Sequence, residues 1–226
     1  MAFKVIKQDV LRENNTVAGE IRRSLAEKGI FMMNIISSPG AGKTSFLERT
    51  GPLLKKEGIP FVILAGDCFT SKDAERIDSL DLPVVQINTG NACHIDAQLV
   101  KKALDEVDLD KTELVIVENV GNLVCPAEFD VGEDMKIAVM STPEGHDKPS
   151  KYPLLIEESG IVLINKTDLI KYTDFDIESC ERDIRSINPG VKILRISCRT
   201  GEGIDDFLSW LKLKLSNKKG KKNEIR

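Results

Sequence analysis

The stretch SSPGAGKTS at residues 37–45 constrains the fold of this chain more strongly than any other feature. It follows the apolar run MNIIS and precedes SFLERTGPLLKKEG, whose apolar residues recur with helical period. A strand, a glycine-rich turn and a helix in this order are the parts of a phosphate-binding loop, because such a turn directs backbone N–H groups at phosphate oxygens. A glycine turn that binds nothing is the alternative, and the strand–loop–helix context argues against it.

We predict that six consecutive residues of this loop bind a nucleotide: Gly40, Ala41, Gly42, Lys43, Thr44 and Ser45. The Lys43 ammonium is expected to reach the β- and γ-phosphates and to serve as a catalytic group, and the Thr44 hydroxyl is expected to ligate Mg²⁺. The common pattern G-x-x-x-x-G-K-[ST] begins with glycine, whereas this chain has Ser37 at that position.

Short β-branched runs alternate along the chain with longer segments of helical period. Seven runs are predicted to be strands, at residues 33–37, 61–67, 84–88, 114–120, 137–141, 161–165 and 192–197. Strands separated by helices form a mostly parallel sheet that is covered on both faces, so the predicted fold class is α/β, doubly wound. We predict one domain over residues 1–216, with an amphipathic helix at 9–29 that packs at the sheet edge in preference to a partner. The polar, basic tail at 217–226 is interpreted as a disordered, solvated end.

The amino-acid composition limits the kinds of partner that this chain is expected to bind. The chain has 226 residues, of which 41% are hydrophobic and 30% charged, enough for one sizeable core. A formal net charge of −4 with mixed signs argues against a nucleic-acid or membrane surface. The longest apolar run, residues 29–36, is too short to cross a bilayer, and no secretory h-region begins the chain. We therefore expect a cytoplasmic protein with small-molecule and protein partners.

The string NKTD, directly after a predicted strand, indicates which base the nucleotide carries. The Asp168 carboxylate is able to accept hydrogen bonds from N1–H and the exocyclic amine of guanine, which adenine does not supply in that arrangement. The aliphatic stem of Lys166 is expected to cover the base, and Asn165 to brace the loop. SCRTGEG, after the last predicted strand, adds Ser197 and Cys198 as contacts to the guanine. Together with the phosphate loop, these residues predict a GTP site.

Three carboxylates follow predicted strands or lie close to their ends. Asp67 ends the second strand and is a predicted Mg²⁺ ligand, while Asp73 and Glu118 are predicted catalytic residues that hold magnesium-bound water or the attacking water. Asp73 has the alternative role of a helix N-cap. Glu118 begins the string E-x-x-G, and no glutamine follows to orient water, so we expect slow intrinsic hydrolysis.

The string NTGNACHIDAQ places Cys93 beside His94. Neighbouring residues of a strand point to opposite faces, so these two are able to share an ion only from a turn or a helix start, which Gly90 and the following IDAQLVKKAL favour. A helix N-terminus also lowers the pKa of a thiol and favours the metal-binding thiolate. On the residues alone, a pair of metal ligands and a buried thiol beside a surface imidazole remain equally open.

The motifs SSPGAGKT, AGDCFTSKDAER, NTGNACHIDA, ENVGNLVCPAEFDVGE and NKTDL together resemble the HypB family of hydrogenase maturation GTPases, over nearly the whole chain. The resemblance implies a SIMIBI-type G domain, of the dimerising class related to the nitrogenase iron protein. It implies GTP and Mg²⁺ as cofactors and a homodimer promoted by GTP and metal. The implied partners are a nickel metallochaperone and the large subunit of a [NiFe] hydrogenase.

The same resemblance implies a Ni²⁺ or Zn²⁺ site formed by Cys93, His94 and Cys125. Many family members also carry an N-terminal cysteine motif or histidine-rich tract, but no Cys or His precedes Lys43, so no N-terminal nickel site is expected here. Two other interpretations stay open. One is the sister family of urease accessory GTPases, which usually has Cys-Pro-His where this chain has Cys93-His94. The other is a GTP-regulated binding module without a metal.

The remaining cysteines and the second histidine are interpreted without a metal. The thiols of Cys68, Cys180 and Cys198 have apolar or turn neighbours and no partner histidine, so they are taken as structural. His146 is taken as a solvated loop residue. It lies in the string TPEGHDKPSKYP, which is typical of a mobile loop and makes Lys148 a candidate contact to a partner subunit.

Overall fold

The computed structural model describes the backbone of residues 7–68 and 71–224 and the side chains of residues 11–68 and 71–220. Within these ranges the strands are β1 (Phe31–Ser37), β2 (Phe61–Asp67), β3 (Val84–Asn88), β4 (Leu114–Glu118), β5 (Met135–Ser141), β6 (Ser159–Asn165) and β7 (Lys192–Arg195). All seven predicted runs are strands. The predicted and observed ends of the strands differ by at most two residues. For example, β4 ends at Glu118, and the polar Asn119 already belongs to the following loop.

The strands form a single sheet in the order β3-β2-β4-β1-β5-β6-β7, and every neighbouring pair is parallel. The predicted α/β class with a parallel sheet is therefore confirmed. β1 carries the phosphate loop and lies at the centre, between β4 and β5. Ligands of such sheets bind beyond the carboxyl ends of the strands, near the point where the strand order changes direction. The fold thus brings the loops after β1, β2, β4 and β6 to one edge.

Helices cover both faces of the sheet. Their bounds are α1 (Lys7–Lys28), α2 (Lys43–Lys56), α3 (Lys72–Asp78), α4 (Ala97–Asp105), α5 (Cys125–Glu128), α6 (Lys148–Lys151), α7 (Pro153–Glu158), α8 (Ile177–Ile187) and α9 (Ile204–Glu224). Residues of α2, α3 and α9 pack into the core on one face. Residues of α1, α4, α7 and α8 pack into the core on the other face. None of the helices in the described ranges has the length and apolar run that crossing a membrane requires.

The predicted first helix is α1, and it ends just before Gly29, whose φ of 72° favours glycine. It lies on a face of the sheet, where Val17, Ile21 and Leu25 belong to the same core as Met32 of β1. The expectation that this helix packs at the sheet edge is therefore wrong. Its apolar stripe covers central strands, which offer more apolar surface than an edge strand does.

The C-terminal segment also differs from its prediction. The sequence favours a disordered end for residues 217–226, but α9 continues to Glu224. Lys218 Nζ lies 2.5 Å from Asp134 Oδ1, and Lys219 Nζ lies 2.7 Å from Glu113 Oε2. The composition of the segment predicts that these lysines are solvated. The two ion pairs instead bind them to the body of the domain. The interpretation as a disordered end is wrong as far as Glu224, and residues 225–226 lie outside the described part of the chain.

Candidate functional site

The phosphate loop joins β1 to α2, and its backbone requires glycine. Gly40 and Gly42 have φ angles of 77° and 106°, in the region that side chains other than glycine rarely adopt. A Cβ at Gly42 would also lie 2.5 Å from Asn165 Nδ2. The chain therefore turns directly into the first turn of α2, where Lys43 and Thr44 are buried. The first N–H groups of a helix have no partner within it, so this turn is suited to an anion.

Ser37, where the common pattern has glycine, makes specific contacts within the loop. Lys43 Nζ donates a hydrogen bond to Ser37 Oγ over 2.9 Å, and Ser37 Oγ donates to the Ser38 carbonyl over 2.7 Å. Burial lowers the pKa of Lys43, and the charges of Glu118 and Asp73 oppose that shift. The serine hydroxyl thus holds the ammonium in a site that is screened from bulk water.

Glu118 is the most unusual group of the site. It is 3% exposed, and its Oε1 accepts a hydrogen bond from Thr44 Oγ1 over 2.7 Å. Among the buried side-chain nitrogens and oxygens of the described residues, only Glu118 Oε2 has no hydrogen-bond partner. Burial raises the pKa of Glu118 to about 7, while the Thr44 hydrogen bond and the Lys43 ammonium lower it. A buried carboxylate oxygen without a partner fits a hydrated cation or a water molecule.

A cavity of about 440 Å³ lies above the phosphate loop. The predicted carboxylates Asp67, Asp73 and Glu118 line it together with Lys43 and Thr44. They come from the end of β2, the first turn of α3, the end of β4 and the start of α2. The structure therefore brings together, in one cavity, the predicted phosphate ligands and the predicted catalytic acids.

Arg76 lines the same cavity and is a residue that the sequence analysis does not single out. Its Nη1 lies 3.2 Å from Asp73 Oδ1, and its Nη2 lies 2.7 Å from Glu48 Oε2. The N-cap position of α3 is occupied by Ser71, so the alternative role of Asp73 as an N-cap is wrong. The spacing of three residues between Asp73 and Arg76 on one helix is the sequence signal that would have found this pair.

A second cavity, of about 460 Å³, adjoins the first across the start of α2 and contains the predicted base-binding residues. Asn165 Nδ2 donates to the Ala41 carbonyl over 2.9 Å, and Lys166 Nζ donates to the Gly40 carbonyl over 2.7 Å. Lys166 has a φ of 62°, unusual for a residue other than glycine. The loop after β6 is therefore tied to the phosphate loop by two hydrogen bonds.

Asp168 lies at the far side of this second cavity, and its carboxylate is oriented by Ser197. Ser197 Oγ donates to Asp168 Oδ1 over 2.6 Å, whereas Oδ2 lies 3.9 Å from Arg199 Nη1. The backbone N–H of Cys198 donates to Asn165 Oδ1 over 3.3 Å, and Cys198 lines the cavity. Ser197 itself is fully buried, so its position differs from the expected one: it supports Asp168 and does not line the cavity.

Cys93, His94 and Cys125 form a third group at the same edge of the sheet. One ligand atom from each residue lies within 4.8 Å of the others, a spacing that suits one metal ion. The two sulfurs are 2.9 Å apart, and Cys93 Sγ lies 3.8 Å from His94 Nδ1. Burial lowers the pKa of His94, which favours the neutral imidazole that binds metals, while the Cys93 thiol and burial raise the pKa of Cys125. The His94 ring packs on Phe129, with centroids 3.8 Å apart.

The backbone around this group differs in two details from the expectation. Helix α4 begins at Ala97 with Asp96 as its N-cap, so Cys93 and His94 lie in the preceding turn and not in the first turn of the helix. The expected placement of Cys93 at the N-terminus of the helix is therefore wrong. Cys125, expected in a loop, is the first residue of the short helix α5.

The segment from Glu118 to Cys125 touches both the phosphate loop and the Cys93 segment. A Cβ at Gly121 would lie 3.0 Å from the Cα of Pro39, so a side chain there would press against the loop. The next residue, Asn122, donates from Nδ2 to the Cys93 carbonyl over 3.3 Å. Neither contact is visible in the sequence, because each joins residues that are far apart along the chain.

The other cysteines occupy different surroundings. The Cys68 thiol donates to the Ala92 carbonyl over 3.2 Å, and burial raises the pKa of Cys180 to about 12 and that of Cys198 to about 11. His146 packs edge-on against Phe175, with ring centroids 6.2 Å apart. Within the described residues, these side chains belong to no group of metal-ligand spacing.

The segment predicted to be a mobile Gly/Pro/Lys-rich loop contains a 3₁₀ turn at Thr142–Glu144 and the short helix α6. Lys148, the candidate partner contact, is the first residue of α6, and its Nζ lies 5.5 Å from the centre of the Tyr152 ring.

Comparison with known proteins identifies the family. Residues 31–195 match the family model described as the CobW/HypB/UreG nucleotide-binding domain. Over 206 residues the chain is 46% identical to the hydrogenase maturation factor HypB of Azotobacter vinelandii. The aligned region covers 91% of this chain and 68% of that protein. The chain belongs to the HypB family.

Two solved HypB structures resemble the fold closely. HypB from Archaeoglobus fulgidus superposes with a TM-score of 0.84 at 33% identity, over 91% of this chain and all of that one. HypB from Helicobacter pylori, solved in complex with nickel, gives 0.85 at 33% identity, over 91% of this chain and 96% of that one. The resemblance seen in the motifs is thus confirmed. The chain is a HypB-family GTPase with a nucleotide-binding domain.

Proposed function

We propose that this chain is a GTP- and magnesium-dependent metallochaperone that inserts nickel into [NiFe] hydrogenase and acts as a homodimer whose assembly responds to GTP and metal. The observation that supports this proposal most is the segment from Glu118 to Cys125. It meets the phosphate loop at Gly121 and the Cys93 segment at Asn122. A nucleotide that moves this segment therefore also moves a metal ligand.

The nucleotide part of the proposal assigns each residue of the first cavity a role. Thr44 and Asp67 would hold Mg²⁺, because hard cations prefer oxygen ligands and both residues line the cavity beside the unpartnered Glu118 oxygen. When bound, magnesium neutralises the charge of the phosphates. Lys43 binds the β- and γ-phosphates, while Asp73 and Glu118 orient water. The segment after Glu118 supplies no glutamine for that task, so hydrolysis is slow.

The cargo part of the proposal assigns nickel to Cys93, His94 and Cys125. Thiolate and imidazole ligands suit both Ni²⁺ and Zn²⁺. The nickel complex of the Helicobacter pylori relative favours nickel as the cargo. Three ligands from one subunit leave a coordination position open, which a second copy of the chain would fill across a two-fold axis. The proposed protein partners of this chain are a nickel metallochaperone and the large subunit of [NiFe] hydrogenase.

Release of nickel on exchange of nucleotide tests the proposal. The chain, loaded with one Ni²⁺, is mixed with a chromophoric chelator in the presence of GTP and Mg²⁺, of GDP and Mg²⁺, or of no nucleotide. We expect different release rates with GTP and with GDP. Light scattering of the same samples is expected to give the mass of two chains with metal and a non-hydrolysable GTP analogue. Identical release rates, together with the mass of one chain in every sample, would contradict the proposal.

Base selectivity provides a separate test through Asp168. In Asp168→Asn the amide oxygen still accepts from Ser197, while the amide N–H₂ no longer accepts the guanine N–H groups. Loss of charge-assisted hydrogen bonds, worth about 1.5–3 kcal/mol each, is expected to weaken GTP binding by about 10- to 100-fold and to favour XTP, whose 2-oxo group accepts from the amide. Binding of GTP and XTP is compared with that of the exposed control Asp174→Asn. If the Asp168 variant keeps the parent's preference for GTP, the base assignment is wrong.

A further inference from the structure

Four polar side chains lie buried close to the site, one of them, Asn119, at the wall of the first cavity, and none of the roles assigned above uses them. Asn34 is fully buried in β1, Asn119 follows β4 and is 1% exposed, and Glu133 and Lys136, just before and within β5, are 7% and 8% exposed. Asn34 and Lys136 are register partners on neighbouring strands. We call these four side chains the buried polar row.

One end of the row reaches the segment that carries the first metal ligands. The backbone N–H of Ile95, the residue after His94, donates to Asn119 Oδ1 over 3.1 Å. Asn119 Nδ2 in turn donates to Asn34 Oδ1 over 3.1 Å. The position of His94 is therefore fixed relative to the central strand through one asparagine side chain.

The other end of the row reaches the helix that begins with Cys125. Asn34 Nδ2 donates to Glu133 Oε1 over 3.4 Å, and the same oxygen lies 3.9 Å from Lys136 Nζ. Lys136 Nζ donates to the carbonyl of Ala127, in α5, over 2.7 Å. Because α5 has only four residues and few internal hydrogen bonds, this contact from β5 contributes strongly to its placement.

The row also touches the nucleotide side of the site. Asn119 is the residue after Glu118, whose carboxylate accepts from Thr44 of the phosphate loop. The backbone N–H of Asn119 donates to the Ile35 carbonyl over 3.0 Å. A displacement of the Glu118 end of β4 therefore moves Asn119, and with it the hydrogen bonds that lead to both metal-bearing segments.

Packing alone does not require polar groups at these positions. Replacing a buried, fully paired polar network by apolar side chains of similar volume is often neutral or stabilising. Such networks instead fix one relative placement of the elements that they join, because every member must keep its partners. Here the joined elements are the two that carry metal ligands and the strand that ends at Glu118.

The geometry points to the buried polar row as the positioning device that couples the nucleotide to the metal site, with Asn119 as its junction. This inference rests on the proposed function, because it concerns how GTP changes metal affinity. Asn119 acts through Ile95 and Asn34 and is a positioning residue, not a metal ligand or a catalytic one.

Titration with Zn²⁺ in competition with a chromophoric chelator tests the inference on the full chain. The Kd for Zn²⁺ is measured without nucleotide and with a non-hydrolysable GTP analogue and Mg²⁺, and the ratio of the two values is the coupling factor. For the parent we expect a factor in the range of about 5 to 150. In Asn119→Leu, which keeps the branched shape of the side chain but removes its hydrogen bonds, the factor is expected to fall to within about twofold of unity, while the variant still binds the GTP analogue and Zn²⁺.

A second variant breaks the other end of the row. Lys136→Met is made together with Glu133→Gln, so that no buried charge is left unpaired, and the same loss of coupling is expected. The control is Asn188→Leu. Asn188 donates to the carbonyls of Ile156, Glu157 and Ser159, at the amino end of β6 and away from both cavities, so this variant should keep the parent's factor.

The outcomes separate the inference from the proposed function. If the parent binds Zn²⁺ equally with and without the analogue, the coupling that the proposed function requires is absent, and the inference fails with it. If the parent binds no Zn²⁺, the same titration is made with Ni²⁺, and absence of binding there contradicts the proposed function. If the parent shows coupling and either folded row variant keeps the parent's factor, the inference is overturned while the proposed function stands. A role in stability alone would lower the melting temperature of the row variants and leave their coupling factors unchanged, which also overturns the inference.

Discussion

Lys43→Ala is expected to weaken binding of GTP by about 100-fold or more. Lys43 is the only side-chain cation of the phosphate loop, and Ser37 holds its ammonium in a buried position. A hydrogen bond to a charged group contributes about 1.5–3 kcal/mol, so two such bonds to phosphate oxygens account for at least two orders of magnitude in Kd. The Kd is measured by calorimetry with a non-hydrolysable GTP analogue and Mg²⁺.

The control for Lys43→Ala is Lys56→Ala. Lys56 is an exposed lysine in the last turn of the same helix. This variant should bind the analogue within about twofold of the parent, as is usual for a surface substitution. Binding by folded Lys43→Ala that equals the parent's would show that the loop after β1 is not the phosphate site.

Cys125→Ala is expected to lower the affinity for Ni²⁺ and Zn²⁺ by about 100-fold. Removal of a residue that only hydrogen-bonds to a metal ligand costs about 10- to 100-fold in metal affinity, and removal of a direct ligand costs at least as much. Binding of the GTP analogue in metal-free buffer should stay within about twofold of the parent, because the Cys125 sulfur lies with Cys93 and His94 and does not line the nucleotide cavities. Metal affinity is measured by competition with a chelator of known strength.

Cys180→Ala is the matched control for Cys125→Ala, because it removes a thiol that is buried in the core between α8 and the sheet. Metal affinity in this variant should equal that of the parent, although its melting temperature is expected to fall slightly because a small cavity is created. Equal metal affinity in Cys125→Ala and the parent would remove Cys125 from the metal site.

Local patterns in the sequence predict the strands and the phosphate loop well. Each strand is a short apolar, β-branched run, and the turn between β1 and α2 requires glycine at two positions of unusual backbone conformation. The carboxyl edge follows from the parallel sheet, so the approach of Asp67 and Glu118 to the phosphate loop is also predictable.

Contacts between distant parts of the chain are the features that local pattern misses. The local sequence around residue 218 predicts a solvated tail, because nothing nearby in the sequence shows that Lys218 pairs with Asp134. The approach of Cys93 to Cys125 spans 32 residues, so the local sequence alone does not distinguish a metal site from two unrelated thiols, whereas the family resemblance implies the site. Asn34 is a polar residue in the middle of a mostly apolar strand, and only its three-dimensional partners show that it belongs to a buried row.

Coupling between nickel and GTP is tested most directly by calorimetric titration of Ni²⁺ into the metal-free parent, once without nucleotide and once saturated with a non-hydrolysable GTP analogue and Mg²⁺. We expect the two Kd values for Ni²⁺ to differ by about 5- to 150-fold, which corresponds to a coupling free energy of about 1–3 kcal/mol. By linkage, nickel must then change the affinity for the analogue by the same factor. Nickel binding with the same Kd in both titrations would contradict a nucleotide-controlled metal site.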